Sequence, residues 1–159
     1  MVLTEVKDRI GYIILNRLDK KNALNFDYIQ ILKDTLKDFS KREDVKVVVI
    51  KSNSDVFCAG ADLSYLLSLK DNSLEENIVD SKHIAELFDM IYNFPKLTIS
   101  QVEGHAIAGG CGVATATDFC FATENAKLGY SEVKIGFIPA LVSTYLLRKI
   151  GETKTKELL

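Results

Sequence analysis

The sequence has no marked excess of charge of either sign. Its 159 residues include 20 lysines and arginines and 22 aspartates and glutamates, and the formal net charge is -2. Nucleic-acid backbones and anionic membranes attract proteins through clustered basic side chains. Here the two signs are scattered along the chain, so we expect neither nucleic acid nor a membrane as a partner.

Long apolar runs are also missing. No stretch reaches the roughly 20 apolar residues of a membrane-spanning helix, and the first residues, MVLTEVKDR, lack the basic and then apolar order of a secretory signal peptide. These two absences predict a cytoplasmic protein.

Cysteine and histidine are scarce, which bears on disulfides and metals. The three cysteines, Cys58, Cys111 and Cys120, lie in apolar segments without CxxC spacing, and this pattern predicts buried, reduced thiols. His83 and His105 have no partners at metal-ligand spacing, so both are interpreted as structural and no metal is expected. A GxSxG or P-loop pattern, which would indicate a serine hydrolase or a nucleotide phosphate site, is absent too.

Internal repeats, low-complexity tracts and linker-like segments are absent, and only two prolines occur. The composition, with 47% hydrophobic and 26% charged residues, is that of a soluble globular protein. We therefore expect one domain over residues 1–159.

The hydrophobic pattern predicts strands alternating with helices. Strands are expected over 2–6, 11–16, 45–50, 97–102 and 119–122, the first two forming a hairpin. Helices are expected from about residue 26 and over 62–69, 74–93 and 112–117, with loops over 52–61 and 104–110. This alternation indicates an α/β fold with a mostly parallel sheet.

Two loops combine glycine and small residues with the start of a helix. They are the segments 57–63 (FCAGADL) and 104–112 (GHAIAGGCG). Glycine lets the backbone approach a ligand closely, and free N–H groups at a helix start favour an anion or a developing oxyanion. Two such N–H groups converging would form an oxyanion hole, although either loop alone is more often only a turn.

Together with their flanking segments, these loops resemble the enoyl-CoA hydratase/isomerase family, also called the crotonase superfamily. The resemblance covers nearly the whole chain and rests on segments in a fixed order, namely Lys21-Asn22-Ala23-Leu24-Asn25, residues 57–63, residues 104–110, Asp118, and Leu128-Gly129-Tyr130-Ser131-Glu132 followed by Gly136 and Pro139. It implies an α/β fold of the ClpP/crotonase type, a spiral of repeated ββα units. It also implies a site that binds acyl-CoA thioesters and stabilises an enolate.

The resemblance assigns roles to particular residues. It implies that the backbone N–H groups of Ala61 and Gly109 are the oxyanion donors and that Glu132 is the catalytic carboxylate. The residues that it places against CoA are Lys21, Ala23, Leu24, Ala59, Asp62, Leu63 and Gly110. For Lys20 and Lys21 the alternative is a solvated loop charge. No cofactor is implied beyond CoA as part of the substrate.

Glu132 precedes the apolar Val133, so we expect it to project from a strand edge into an acyl pocket, where burial would raise its pKa.

Gly112 departs from the best-known hydratases, which place a second glutamate there. The segment 131–140 (SEVKIGFIPA) resembles the methylglutaconyl-CoA hydratase branch, which tolerates glycine at that site. The leading hypothesis is a hydratase; the alternatives are a single-glutamate isomerase and a truncated, non-catalytic CoA-binding fold.

Family members run further than residue 159, with C-terminal helices that help to build trimers or dimers of trimers. The chain stops within a predicted helix. We therefore expect those helices to be missing here, and we expect a homo-oligomer, since the exposed apolar surface would favour self-association.

Overall fold

The computed structural model places residues 1–159 in two β-sheets with flanking helices, and it describes every residue apart from the side chain of Ile135. The strands are β1 (Val2–Lys7), β2 (Ile10–Leu15), β3 (Val47–Ser52), β4 (Val56–Cys58), β5 (Leu97–Val102), β6 (His105–Ile107), β7 (Phe119–Ala122) and β8 (Leu128–Gly129). The α-helices are α1 (Phe26–Lys41), α2 (Leu63–Ser68), α3 (Leu74–Tyr92), α4 (Gly109–Ala116) and α5 (Ala140–Leu158). Short 3₁₀ helices cover Leu18–Lys20, Leu69–Asp71 and Glu132–Ile135.

The order of these elements repeats a ββα unit along the chain. One sheet has the order β1-β2-β3-β5-β7, and the other has the order β4-β6-β8. From β3 onward, the strands alternate between the sheets: β3, β5 and β7 belong to the larger sheet, and β4, β6 and β8 belong to the smaller one. This arrangement confirms the expected spiral of ββα units and the predicted α/β class.

The first two strands form the predicted hairpin. They pair antiparallel, with Val2 opposite Leu15 and Lys7 opposite Ile10. The connecting residues Asp8 and Arg9 have φ angles of 49° and 67°. Two consecutive left-handed residues suit a two-residue hairpin turn, because their twist matches that of the flanking strands.

The remaining strands of the larger sheet are parallel, as predicted. β3 pairs in parallel with β2 and with β5, and β5 pairs in parallel with β7. Val48, Val49 and Ile50 of β3 are buried. A continuous β-branched run fits such a strand, because both faces of the sheet are covered.

The smaller sheet differs from the sequence expectation. β4, β6 and β8 lie in segments predicted as loop or glycine turn, or left without an assigned element, and they pair in parallel with each other. Each has only two or three residues, which is too short for a period to show in the sequence. Pairing with a neighbouring strand, rather than local propensity, makes these segments strands.

The helices follow their predicted positions closely. In α1 the buried positions include Ile29, Leu32, Leu36 and Phe39, the residues that carry the apolar period. The Asn25 side chain caps α1 by accepting a hydrogen bond from the Tyr28 N–H at 3.0 Å. The apolar face of α1 packs mainly against α3, which a capping box of Ser73 and Glu76 begins.

Two expectations about individual residues are wrong. Glu132 does not project from a strand edge, since it begins the 3₁₀ helix Glu132–Ile135. Cys58 and Cys111 are buried thiols as expected, but Cys120 is exposed. Cys120 lies in β7, which is an edge strand of the larger sheet and which also exposes Phe119 and Phe121. Of the helices in the described part of the chain, none is long and apolar enough to cross a membrane.

Candidate active site

A cavity of about 470 Å³ lies where the two glycine-containing loops meet the segment that follows β8. Its walls include Ala61 from the first loop, Gly109 from the second loop and Glu132 from the 3₁₀ helix. The apolar side chains around them include Leu66, Ile84, Phe88, Phe137, Ile138 and Val142. Three residues that are far apart in the sequence therefore share one mostly apolar space.

The two loops touch at Gly60. This glycine has a φ of 91°, and a Cβ atom there would lie 2.9 Å from the Ala108 Cβ and 3.0 Å from the Ile107 carbonyl oxygen. The left-handed backbone and the close approach both require a residue without a side chain. Gly60 is therefore what allows the two loops to lie in contact.

The Ala61 N–H is left free by a bridge that involves its neighbours. The Leu24 N–H donates to the Gly60 carbonyl at 2.7 Å, and the Asp62 N–H donates to the Leu24 carbonyl at 2.8 Å. Successive peptide groups of an extended chain point to opposite sides, so the Ala61 N–H faces away from Leu24. Within the described residues, no backbone acceptor for this N–H is present.

The Gly109 N–H is free for a different reason. Gly109 is the first residue of α4, and the first N–H groups of a helix have no acceptor inside the helix. The preceding residue, Ala108, has a φ of 51° and a ψ of -124°, a conformation that strains a residue with a Cβ atom. The Ala108 N–H donates to the Gly129 carbonyl at 2.8 Å, and its carbonyl accepts from the Gly112 N–H at 3.0 Å. These two hydrogen bonds hold Ala108 in its strained conformation, and this conformation sets the orientation of the Gly109 N–H.

Glu132 is the carboxylate in this cavity. Its side chain is half-buried, and its Oε2 atom is buried without a hydrogen-bond partner among the described residues. Burial raises the pKa of the Glu132 carboxyl above its ordinary value. A raised pKa and a free oxygen are what a group needs to take up and release a proton near neutral pH.

Comparisons with known proteins agree on one family. A family model described as enoyl-CoA hydratase/isomerase matches residues 5–159. A candidate enoyl-CoA hydratase of Thermus thermophilus is 39% identical over 153 residues, which are 96% of this chain and 60% of that protein. The crystal structure of a candidate enoyl-CoA hydratase/isomerase (crotonase) from Legionella pneumophila has a TM-score of 0.94 at 38% identity, covering 99% of this chain and 61% of that one.

The chain belongs to the enoyl-CoA hydratase/isomerase family. A crotonyl-CoA hydratase of Syntrophomonas wolfei is also similar, at 31% identity over 160 residues, which are 99% of this chain and 60% of that protein. The chain thus spans about 60% of the length of these relatives.

Gly112, the position at which the family resemblance led us to expect a second glutamate in the best-known hydratases, is enclosed by hydrocarbon side chains. A Cβ atom at Gly112 would lie 2.5 Å from Val142 Cγ1 and 3.0 Å from Phe88 Cε1. Real Cβ atoms essentially never come within 3.0 Å of another atom, so a larger residue at position 112 would force the Val142 side chain to move and would press on Phe88. The space that a second carboxylate would need is therefore already filled in this member of the family.

The residues expected to contact CoA divide into two groups. Ala59 and Leu63 line the cavity. Lys21, Ala23, Leu24, Asp62 and Gly110 are not part of its lining. Gly110 has a packing role, since a Cβ atom there would lie 2.3 Å from the Cys58 carbonyl oxygen. Lys21 is exposed and adopts a left-handed backbone conformation, with a φ of 49°.

Both carboxylate oxygens of Asp62 accept hydrogen bonds from other residues of the protein. Its Oδ1 atom accepts from the Ser64 N–H at 3.0 Å and the Ser64 hydroxyl at 2.6 Å, which caps α2, and its Oδ2 atom accepts from Arg17 Nη2 at 2.8 Å. The Ser64 hydroxyl and the Arg17 guanidinium lower the pKa of the Asp62 carboxyl to about 2. The Asp62 side chain therefore fixes the loop that carries Ala61.

Sequence reasoning missed two residues that hold the first loop in place. Asn22 is fully buried; its Oδ1 atom accepts from the Arg17 N–H at 2.8 Å, and its amide donates to Ser52 Oγ at 2.9 Å and to the Phe57 carbonyl at 3.0 Å. Arg17 Nη1 also donates to the Ala23 carbonyl at 2.6 Å. The left-handed φ of 56° at Asn22 suits asparagine. The sequence shows Asn22 only as one position of the family motif at residues 21–25, without a role of its own.

The two histidines lie outside the cavity lining. The Nδ1 atom of His83 is 3.2 Å from Lys33 Nζ, and its ring stacks on Phe26 with centroids 3.9 Å apart. His105 Nδ1 accepts from the Lys127 N–H at 3.2 Å. In the described part of the chain, no three His, Cys, Asp or Glu side chains are grouped so as to hold a metal ion.

Proposed function

We propose that the protein adds water across the 2,3 double bond of a 2-enoyl-CoA thioester. The observation that carries this proposal is that Ala61, Gly109 and Glu132 line one mostly apolar cavity, while the N–H groups of Ala61 and Gly109 have no backbone acceptor within the described residues. The family supports an acyl-CoA substrate, and the cavity offers an apolar space for the acyl chain.

The two N–H groups act on the thioester oxygen. As the nucleophile adds to carbon 3, the electrons of the double bond move toward the carbonyl, and negative charge develops on that oxygen. Two fixed donors stabilise this charge without reorganisation, and the loss of one comparable donor costs about 2.7–4 kcal/mol. The partial positive charge at the N-terminus of α4 adds to this effect.

Glu132 carries the proton in both halves of the reaction. The carboxylate takes a proton from water while the water oxygen bonds to carbon 3, which leaves an enolate. The protonated Glu132 then gives the proton to carbon 2, and the enolate collapses to the saturated 3-hydroxyacyl thioester. One carboxyl group is enough for this cycle. A second carboxylate at position 112 would need space that the Phe88 and Val142 side chains occupy.

The likeness of residues 131–140 to the methylglutaconyl-CoA hydratase branch supports a branched or methylglutaconyl-type acyl group as the substrate. A second candidate activity is double-bond isomerisation, and the hydrocarbon around Gly112 favours it, because an isomerase needs one proton carrier and must exclude water. In that reaction Glu132 would carry a proton between carbons 2 and 4.

Product masses in heavy-oxygen water distinguish these activities. We expect a 2-enoyl-CoA to give a labelled 3-hydroxyacyl-CoA, and we expect Glu132→Gln to abolish this product. An unlabelled product of unchanged mass with a shifted double bond would instead establish the isomerase. The absence of any product, combined with thermal stabilisation by CoA thioesters, would indicate a binding fold without turnover.

A further inference from the structure

Tyr130 lies two residues before Glu132 and is buried. Among the described side chains of residues 119–138, it is the only buried one. This stretch contains β7, β8 and the 3₁₀ helix that begins at Glu132. A segment with few buried contacts moves easily relative to the rest of a protein. The position of Glu132 therefore depends strongly on what the Tyr130 side chain contacts.

The Tyr130 hydroxyl is bonded to α4. Its oxygen lies 2.6 Å from Thr115 Oγ1. Both residues line a second cavity, of about 280 Å³, which shares no lining residue with the cavity that contains Glu132. Thr115 belongs to the same helix as Gly109, whose N–H is the proposed oxyanion donor. The bond therefore joins the segment of the carboxylate to the helix of the donor.

Backbone hydrogen bonds tie this segment to the loop before α4 only at its beginning. The Ala108 N–H donates to the Gly129 carbonyl at 2.8 Å. The described backbone hydrogen bonds of residues 131–138 stay within residues 131–140, as in the Phe137 N–H that donates to the Glu132 carbonyl at 3.0 Å. The Oε2 atom of Glu132 has no partner among the described residues either. Beyond β8, the Tyr130 side chain is thus the link to α4.

We propose that Tyr130 is a positioning residue, whose hydroxyl bond to Thr115 holds Glu132 in place relative to the Gly109 N–H. This inference rests on the proposed function, in which the proton carrier and the oxyanion donor act on one thioester. Tyr130 does not line the catalytic cavity, so it acts through Glu132 and not on the substrate. A shift of about 1 Å in a catalytic group can lower a rate by about a hundredfold.

Two conservative substitutions test the bond. Tyr130→Phe keeps the ring, and Thr115→Val keeps the branched shape of the side chain. We expect each substitution to lower kcat for a 2-enoyl-CoA by about 10–100-fold, with little change in KM because the cavity lining is retained. Both substitutions remove the same bond, so the double variant should be no slower than the slower single variant.

Tyr12→Phe is the matched control, because Tyr12 lies on β2 and lines neither of these cavities. It should leave kcat and KM unchanged, and thermal unfolding checks that every variant is folded at the assay temperature. An unchanged kcat in folded Tyr130→Phe would overturn the assignment. A double variant whose loss is the product of the two single losses would overturn it as well, since the two hydroxyls would then act independently.

The titration of the Glu132 carboxyl is a readout that a loss of stability alone does not move. Carbon-13 NMR can follow this carboxyl, with its signal assigned by comparison with Glu132→Gln. Burial raises the pKa of Glu132, so a loosened segment should expose the carboxyl and lower its pKa in Tyr130→Phe but not in Tyr12→Phe. Lys134, the other charged side chain of the cavity lining, is present in all these variants. An unchanged pKa of Glu132 in Tyr130→Phe would contradict the inference.

Turnover separates this inference from the proposed function. If the native protein converts no 2-enoyl-CoA, the proposed function fails, while the titration still decides whether Tyr130 holds Glu132 in place. If the native protein is active and Tyr130→Phe has the same kcat, the inference fails and the proposed function stands.

Discussion

Replacing Glu132 by glutamine is expected to lower kcat by orders of magnitude and to stabilise the protein at neutral pH. The carboxylate has one buried oxygen without a hydrogen-bond partner. A buried unsatisfied polar atom costs about 1–3 kcal/mol, and because the side chain is only half-buried we take the lower end, about 1 kcal/mol. The amide keeps a buried polar atom but removes its charge, and a charge costs more to bury than a neutral polar group, so about 1 kcal/mol is the upper limit of the gain. For a protein of this size the corresponding rise in Tm is about 2–4 °C.

The stability gained by Glu132→Gln should be larger at neutral pH than at acidic pH. Because burial raises the pKa of Glu132 in the folded state, the folded protein binds this proton more tightly than the unfolded chain does. The native protein is therefore destabilised above the raised pKa, and the difference disappears as the pH falls toward the unfolded value, about 4.3. The advantage of the glutamine variant should be present at pH 7 and lost near pH 4.

The assay combines thermal unfolding at several pH values with turnover of a 2-enoyl-CoA. Loss of a general acid and base should reduce kcat by about 10²–10⁴-fold. Glu124→Gln is the matched control, because Glu124 is exposed and lies outside the cavity lining, and it should change neither property. A glutamine variant with full turnover, or with a Tm at pH 7 no higher than that of the native protein, would refute this reasoning.

Three further predictions concern packing around the site. Gly112→Ala should lower the free energy of unfolding by about 1–3 kcal/mol, measured with denaturant. Gly129→Ala should be nearly neutral, because a Cβ atom at Gly129 meets nothing within 4 Å. Equal effects of the two substitutions would contradict the packing at Gly112. Gly60→Ala should lower kcat about a hundredfold by separating the two loops, whereas Gly151→Ala, with a similar positive φ but no close neighbour, should cost stability alone. Asn22→Ala should cost about 3 kcal/mol in unfolding by leaving buried groups unpaired, and a cost near zero would exclude its structural role.

The sequence predicted the elements that have a visible period. The spacing of Ile29, Leu32 and Leu36 indicated α1, and the β-branched run before residue 50 indicated β3. The strands of the smaller sheet were missed because each has two or three residues and depends on pairing across the fold. The exposure of Cys120 was missed because an edge strand cannot be distinguished from a central one by composition.

The candidate site was predicted through resemblance rather than through periodicity. The positions of Ala61, Gly109 and Glu132 on one cavity were expected from the family motifs, while their roles remain predictions. Asn22 was missed because its importance lies in bonds to residues 30 or more positions away. The packing at Gly112 was equally hidden, because it depends on contacts from α3 and α5.

A crystal structure of the protein with a bound 3-hydroxyacyl-CoA tests the central claim most directly. We expect the thioester oxygen to lie about 2.7–3.1 Å from the backbone nitrogens of both Ala61 and Gly109, with the hydroxyl at carbon 3 within hydrogen-bond distance of Glu132. A thioester oxygen that contacts neither nitrogen, in a complex with the cavity occupied, would contradict the account.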